Sequence, residues 1–191
     1  KTDPNRLRYD GDEGYIYMIS GDLVKANKVF DKALENVQPV PTQIRDLANA
    51  FNYRGQTDYA IKTYLKGRTM IPGHPFNLDL AVIYQRQQRY TEMVAEYLDL
   101  LDVDPSQIET VKSRLQSTMN DDPDGEKNDI LRKDLLRRIQ RTPDKTYYAE
   151  MLIWHSVQQR DFEMAFIQAR SLDRRFQEEG RRIYELALLC W

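Results

Sequence analysis

The residues best suited to metal or nucleophilic chemistry are few: two histidines and one cysteine in 191 residues. His74 stands in a Pro-Gly-His-Pro turn and His155 in an apolar helical stretch. Neither has a cysteine nearby or a second histidine at i+3 or i+4, the spacing by which a helix offers two ligands to zinc. Cys190 has no identifiable base. No serine lies in a nucleophile-elbow setting, and no phosphate-cradling glycine loop occurs. The acidic run Asp121 to Glu126 invites a calcium reading, but it lacks the alternating ligands and the length of an EF-hand loop, so its composition reads as a connecting loop. These absences point away from an enzyme, with no catalytic residue, no metal and no cofactor expected.

Charge narrows the partners. The balance is −2, from 28 basic and 30 acidic side chains. Residues 1–125 carry 15 basic and 19 acidic side chains, and residues 126–191 carry 13 and 11. Neither part has the excess expected of a phosphate-backbone binder. The segment 127–141 places Lys127, Arg132, Lys133, Arg137, Arg138 and Arg141 opposite Leu131, Leu135 and Ile139. That pattern is an amphipathic helix with a basic outer face, which Arg174, Arg175, Arg181 and Arg182 could extend. Nucleic-acid binding through these helices ranks last among the functions considered. No apolar run approaches the ~20 residues that span a bilayer, so a soluble chain is expected, its compartment left open between cytoplasm and periplasm.

The elements that position these residues come from a repeat. Ala26, Phe30 and Ala33 are spaced i, i+4, i+7, one face of a helix, and Ala60, Tyr64 and Gly67 repeat that trio 34 positions on. Gly21 and Gly55 each precede the alanine by five residues, and Tyr17 and Phe51 by nine. Leu80-Ala81, Tyr84, Tyr90, Tyr97 and Pro105 carry the pattern into a third unit. A period of about 34 residues is the length of two short helices and two turns. Small residues let paired helices approach closely, the glycines suit the left-handed turn that ends a first helix, and Pro39, Pro72 and Pro105 close the units. The segment from Asn120 to Glu126 interrupts the series, between helices near 106–119 and 127–141. The pattern returns with Leu152, Phe162, Ala165 and Leu172, and a last helix is expected near 180–191.

Leu47-Ala48, Phe51, Ala60, Tyr64 and Pro72, followed by Leu80-Ala81, Tyr84, Tyr97 and Pro105, resemble the tetratricopeptide repeat family over about residues 7–107, with Met93 where alanine is usual. The resemblance implies an all-α fold: a right-handed α-α superhelix, a solenoid of about eleven antiparallel helices. Three repeats would span 1–107, a degenerate helical repeat with the acidic loop 108–145, and a degenerate repeat plus the first helix of a further one 146–191. In that family the first helix of each unit lines a concave groove. The groove residues so implied are Tyr15, Met18 and Ile19; Arg45, Asn49, Asn52 and Tyr53; and Val82, Gln85 and Arg86. Arg45 and Asn49 fall on two positions of the carboxylate clamp that grips acidic chaperone tails. Asp79 stands where the next asparagine is expected, so chaperone-tail binding is not expected.

The function that follows is a protein–protein interaction scaffold holding a peptide or helix of another protein, with a preference for acidic character from the two arginines. An accessory repeat region of a larger enzyme or transport assembly is the alternative. The chain opens on Lys1 and closes on an apolar pattern, Leu186, Leu189 and Trp191, with no stop signal. It therefore reads as part of a longer protein, and an open apolar face there would favour self-association or oxidation of Cys190 between chains.

Overall fold

The computed structural model describes residues 6–189, and among them there is no strand. The helices are α1 (Arg6–Ile19), α2 (Leu23–Asn36), α3 (Pro41–Tyr53), α4 (Thr57–Met70), α5 (Asn77–Arg86), α6 (Tyr90–Val103), α7 (Ile108–Met119), α8 (Glu126–Arg141), α9 (Thr146–Gln158), α10 (Phe162–Phe176) and α11 (Arg181–Leu189). The chain is all-α, as the repeat pattern predicts, and its helices pack as neighbours in sequence, α1 on α2, α3 on α4 and α9 on α10. They fall into two compact units, residues 1–87 and 88–191.

Local chemistry sets the helix ends. Asp22 and Asp161 each accept a hydrogen bond from a backbone N–H of the first turn, those of Lys25 and Met164, satisfying donors that have no partner inside the helix. Pro41 opens α3, where its missing N–H costs nothing. The turn between paired helices needs a left-handed residue. Gly21 (φ 84°) and Gly55 (φ 73°) supply it, as their spacing suggests, but Gln88 and Arg160 do the same at φ 57°. A side chain there costs roughly 1–2 kcal/mol, and because neither residue is glycine no sequence signal marks these two turns.

In the first unit the small residues work as seats for aromatic rings. Ala26 and Ala33 of α2, Ala48 of α3 and Ala60 of α4 are at most 1% exposed. Phe30, Phe51 and Tyr59 form a three-ring cluster with centroids 5.1–5.3 Å apart. The Tyr59 hydroxyl donates to Asp31 at 3.0 Å, and burial, then that carboxylate, push its pKa up to about 12. Gly14 lies flat against the Phe30 ring, and Gly67 fits between Ile44 and Phe76. Tyr64, Tyr84 and Tyr97 are core residues as expected, whereas Tyr59 and Tyr90 are half-buried.

The second unit is held by α8, which packs on α6 and on α9. Here the structure corrects the basic-face reading. Arg138 does not join the outer cations; it turns inward and ties three helices together. Its guanidinium meets Asp99 at 2.7 Å, Asp134 at 3.1 Å and Asp102 at 3.9 Å, and donates to the Tyr148 hydroxyl at 2.9 Å. Asp102 also accepts from Tyr148 at 2.6 Å, Tyr147 at 2.5 Å and Lys145 at 2.9 Å. Burial by itself would lower the Arg138 pKa and raise that of Asp102, but the bonds between opposite charges and hydroxyls outweigh it in both.

The acidic segment is a connecting loop, as its composition reads, and it also caps α8: Asp122 accepts from the backbone N–H groups of Lys127 and Asn128 and from the Asn128 amide. One further expectation changes. Leu186 is not part of an open face, since it packs on Ala165 and Ala169. The exposed apolar residues of α11 are Tyr184 and Leu188, while the side chain of Leu189 and residues Cys190 and Trp191 lie outside the described part.

Two substitutions test this packing. Gly14→Ala should lower stability by roughly 1–3 kcal/mol, because the new methyl falls on the Phe30 ring. Gly11→Ala, one turn earlier with Ala50 Cβ 3.9 Å away, should be neutral or stabilising by up to ~1 kcal/mol through helix propensity; chemical denaturation of both variants measures the contrast. Arg138→Ala should cost up to roughly 3–5 kcal/mol by removing the cation shared by Asp134, Asp99 and the Tyr148 hydroxyl, with only the exposed Arg137 left against the buried Asp134. The double variant Arg138→Met with Asp134→Leu should recover most of that loss in the same assay.

Candidate functional site

The groove residues expected from the repeat register all lie in the first unit. On α1, Tyr15 and Met18 are half-buried and Ile19 is exposed; on α3, Asn49 is exposed, Asn52 half-buried and Tyr53 90% exposed; on α5, Val82 and Gln85 are half-buried and Arg86 is exposed. The Met18 sulfur receives the Gln56 amide at 2.8 Å. Arg45 is committed within the fold: it pairs with Asp79 at 3.3 Å and donates to His74 Nε2 at 2.9 Å, with its guanidinium over the Phe76 ring. The arginine at a clamp position is thus neutralised by the aspartate one helix pair later, 34 residues on. His74 is accounted for by the same cluster, its ring packed edge-on to Phe76 at 4.6 Å. What stays available on this face is Tyr53, Ile19, Asn49 and Arg86.

A candidate site in the second unit was not among the expected residues. A cleft of about 490 Å3 opens along α9, with α7 and α11 on its sides and α10 beneath. Its apolar wall consists of Ile153, Trp154, Val157, Ala169 and Leu186. The space exists because Ala165 and Ala169 of α10 are small, so that Ile153 and Val157 pack on them without filling the cleft. The polar rim alternates in sign. Lys112 stands 2.8 Å from Glu109, and Arg182 is held by Glu178 at 2.8 Å and lies 3.7 Å from Glu150. Gln158, also on the rim, receives the Gln116 amide at 3.5 Å.

Trp154 is the informative residue. It lies five positions after Ala149, as Tyr53 lies five after Ala48 and Arg86 five after Ala81. The first-helix register therefore puts tryptophan at the position already read as groove-lining in two earlier units. The signal was present in the sequence but hidden, because Tyr148 precedes Ala149 where leucine precedes Ala48 and Ala81.

Behind Trp154 sits His155, 4% exposed, with Nε2 3.1 Å from the Asn128 side-chain oxygen. It borders a second, polar cavity of about 300 Å3 with Ser156, Arg132, Asp129 and Asp161. Burial, and next the Arg132 charge, lower its pKa from 6.5 to about 4. The exposed cations of α8 are Arg132, Lys133, Arg137 and Arg141, with Arg132 3.7 Å from Asp161, Lys133 3.3 Å from Asp129 and Arg137 against Asp134. Among the described residues, no cluster of three or more His, Cys, Asp or Glu could hold a metal, and no helix is long and apolar enough to cross a membrane.

His155 carries a pH signature. Above pH 6.5 it is neutral whether folded or unfolded. Below that, the unfolded chain takes up the proton and the folded chain does not, so stability should fall by about 3 kcal/mol on going to pH 4, where the folded form begins to protonate. Thermal unfolding between pH 7 and 4 should show a shallower loss in His155→Gln than in the unsubstituted chain. No protein-family model matches the chain, and the search of curated proteins finds no relative.

Proposed function

We propose that this chain is a protein-interaction scaffold that seats an apolar-anchored peptide or helix against the first helices of its repeats. The carrying observation is the cleft along α9, in which Trp154 stands beside a floor kept open by the small Ala169 and is flanked by charges of both signs. A half-buried tryptophan beside aliphatic side chains supplies much contact area at little ordering cost, the composition typical of interface hot spots. The mixed rim can pair with backbone amides or either charge of a ligand. In the first unit the pairing of Arg45 with Asp79 removes one of the two cations that favoured an acidic ligand there, and Tyr53, 90% exposed, remains as that unit's anchor. The resemblance to tetratricopeptide repeats agrees with this reading.

Panning displayed 12-residue random peptides, about the length of three helical turns, on the whole chain and measuring the selected sequences by calorimetry provides the test. Trp154→Ala should weaken them by about 30-fold or more, with a helical circular dichroism spectrum retained. Loss confined to Tyr53→Ala would move the site to the first unit. Selected peptides that bind both variants as tightly as the parent chain would remove the groove reading.

A further inference from the structure

A small pocket opens beside Trp154, between the end of α7, the start of α8 and the second half of α9. It encloses about 80 Å3 and meets the α9 cleft at Trp154 and Gln158, which line both. A water molecule in the liquid takes about 30 Å3, so the pocket admits a group of about three heavy atoms. No residue of α10 or α11 lines it. Five of the residues around it are amides, Gln116, Asn120, Asn128, Gln158 and Gln159. Met119, Trp154 and His155 complete the wall. None of these carries a charge at neutral pH, in a chain of which 30% of residues are charged. The lining therefore selects by hydrogen bonding and not by charge.

Hydrogen bonds fix which way the amides face. Asn128 Nδ2 donates to the Asp122 carboxylate at 2.7 Å. Its Oδ1 must then accept, and it does so from Gln159 Nε2 at 2.9 Å and from His155 Nε2 at 3.1 Å. The Asp122 cap thus places the His155 proton on Nε2, and it turns Gln159 so that Oε1 is left as an acceptor. On the opposite wall Gln116 Nε2 donates to Gln158 Oε1 at 3.5 Å. That leaves the Gln158 N–H groups and the Gln116 oxygen without a partner among the described residues. The Asn120 side chain has none there either. The wall offers N–H donors and carbonyl acceptors together, with no ion to favour either sign.

We infer that this pocket is a subsite for the side-chain carboxamide of an asparagine or glutamine in a peptide lying along the α9 cleft, and for its ligand this rests on the scaffold reading. The chemistry discriminates against the near isosteres. A carboxylate has the same shape but only accepts, and it would shed its water beside no cation. Lys112 and Arg182 stand on the rim of the larger cleft, each held by a glutamate. An ammonium only donates. An aliphatic side chain would displace water from the wall amides and leave them unpaired. A carboxamide supplies two N–H groups and an accepting oxygen, which match both kinds of group on the wall. A peptide main chain carries the same chemistry, but the larger cleft is its path, and a pocket of this size to one side takes a side chain.

The test follows the side-chain amide and indole signals of the whole chain by heteronuclear NMR. The probes are the N-acetyl methylamides of glutamine, glutamate and alanine, which share their main-chain amides. The glutamine probe should shift the Trp154, Gln158 and Asn120 signals saturably, and bind at least about fivefold tighter than the other two. Gln158→Lys should turn the preference toward the glutamate probe by about tenfold, with the helical circular dichroism spectrum retained. Equal binding of the glutamine and alanine probes would assign the pocket to main-chain amides and overturn the proposal. So would a glutamine probe that does not saturate, or a preference that Gln158→Lys leaves unchanged. Panned peptides that need Trp154 but accept glutamate or leucine for every asparagine and glutamine overturn the subsite and leave the scaffold reading standing. A glutamine probe that binds as expected, while panning yields no peptide, keeps the carboxamide site and removes the scaffold around it.

Discussion

The distance between paired helices is the constraint on which the rest of the structure depends. Where α1 meets α2, the absence of a Cβ at Gly14 lets the Phe30 ring lie on the backbone. That ring in turn touches Phe51 and Tyr59 of the next pair. Ala48 and Ala60, both 0% exposed, hold α3 and α4 at the same spacing. Small residues therefore set the approach within a pair, and large rings fill the space from pair to pair. Each pair alone would leave its rings half in water, so stability is shared between neighbours. One consequence is that a methyl group added at a contact point matters more than a charge changed on the outside.

Charge is used inside this frame as a fastener between helices. Arg45 of α3 meets Asp79 of α5, and Arg138 of α8 meets Asp99 and Asp102 of α6. In both cases an arginine joins helices distant in sequence, and its flat guanidinium also packs over an aromatic ring, Phe76 or Tyr148. A lysine could supply the charge but not the fork of hydrogen bonds or the stacked face. Arg138 is the more demanding of the two, because Asp134 and Tyr148 are buried with it and each depends on the others for its hydrogen bonds. Such a network fixes how α6, α8 and α9 meet, since a shift of any one helix would leave a buried polar group unpaired.

How much of this the sequence discloses depends on whether a residue's role is local. The helices, the glycine turns at Gly21 and Gly55, and the alanine and aromatic anchors follow from spacing along one chain segment, and they appear where expected. Gln88 and Arg160 take the same left-handed turn without any local mark, because the packing of the helices on either side dictates it. Arg138 reads as one more cation on a basic face, since nothing within its own helix says that Asp99 and Asp102 lie opposite. Asp122 looks like a loop carboxylate until the start of α8 is placed above it. Leu186 reads as an open apolar residue because the alanines that receive it belong to a different helix. The candidate site follows the same rule. Trp154 could be placed on the groove side by counting from Ala149, but the cleft beside it depends on the smallness of Ala169, one helix further on.

The division between residues that hold the stack and residues left over bears on function. At the fifth position after the first-helix alanine, three units present Tyr53, Arg86 and Trp154, side chains with little in common except size and the capacity for strong contacts. The positions just before it are monotonous: Leu47-Ala48 and Leu80-Ala81, all at most 1% exposed, and Tyr148-Ala149. A position bound by packing tolerates only a narrow range of shapes, whereas one that faces outward is free of that demand. Of the three outward residues, Trp154 stands in a cleft of about 490 Å3 with an aliphatic floor, so its indole can be covered by a ligand on more than one side. Tyr53, 90% exposed on an open helix face, can be covered only by a ligand that wraps it. Contact area gained per ordered side chain would therefore be greater at Trp154, and this supports placing the proposed scaffold's anchor in the α9 cleft rather than at Tyr53.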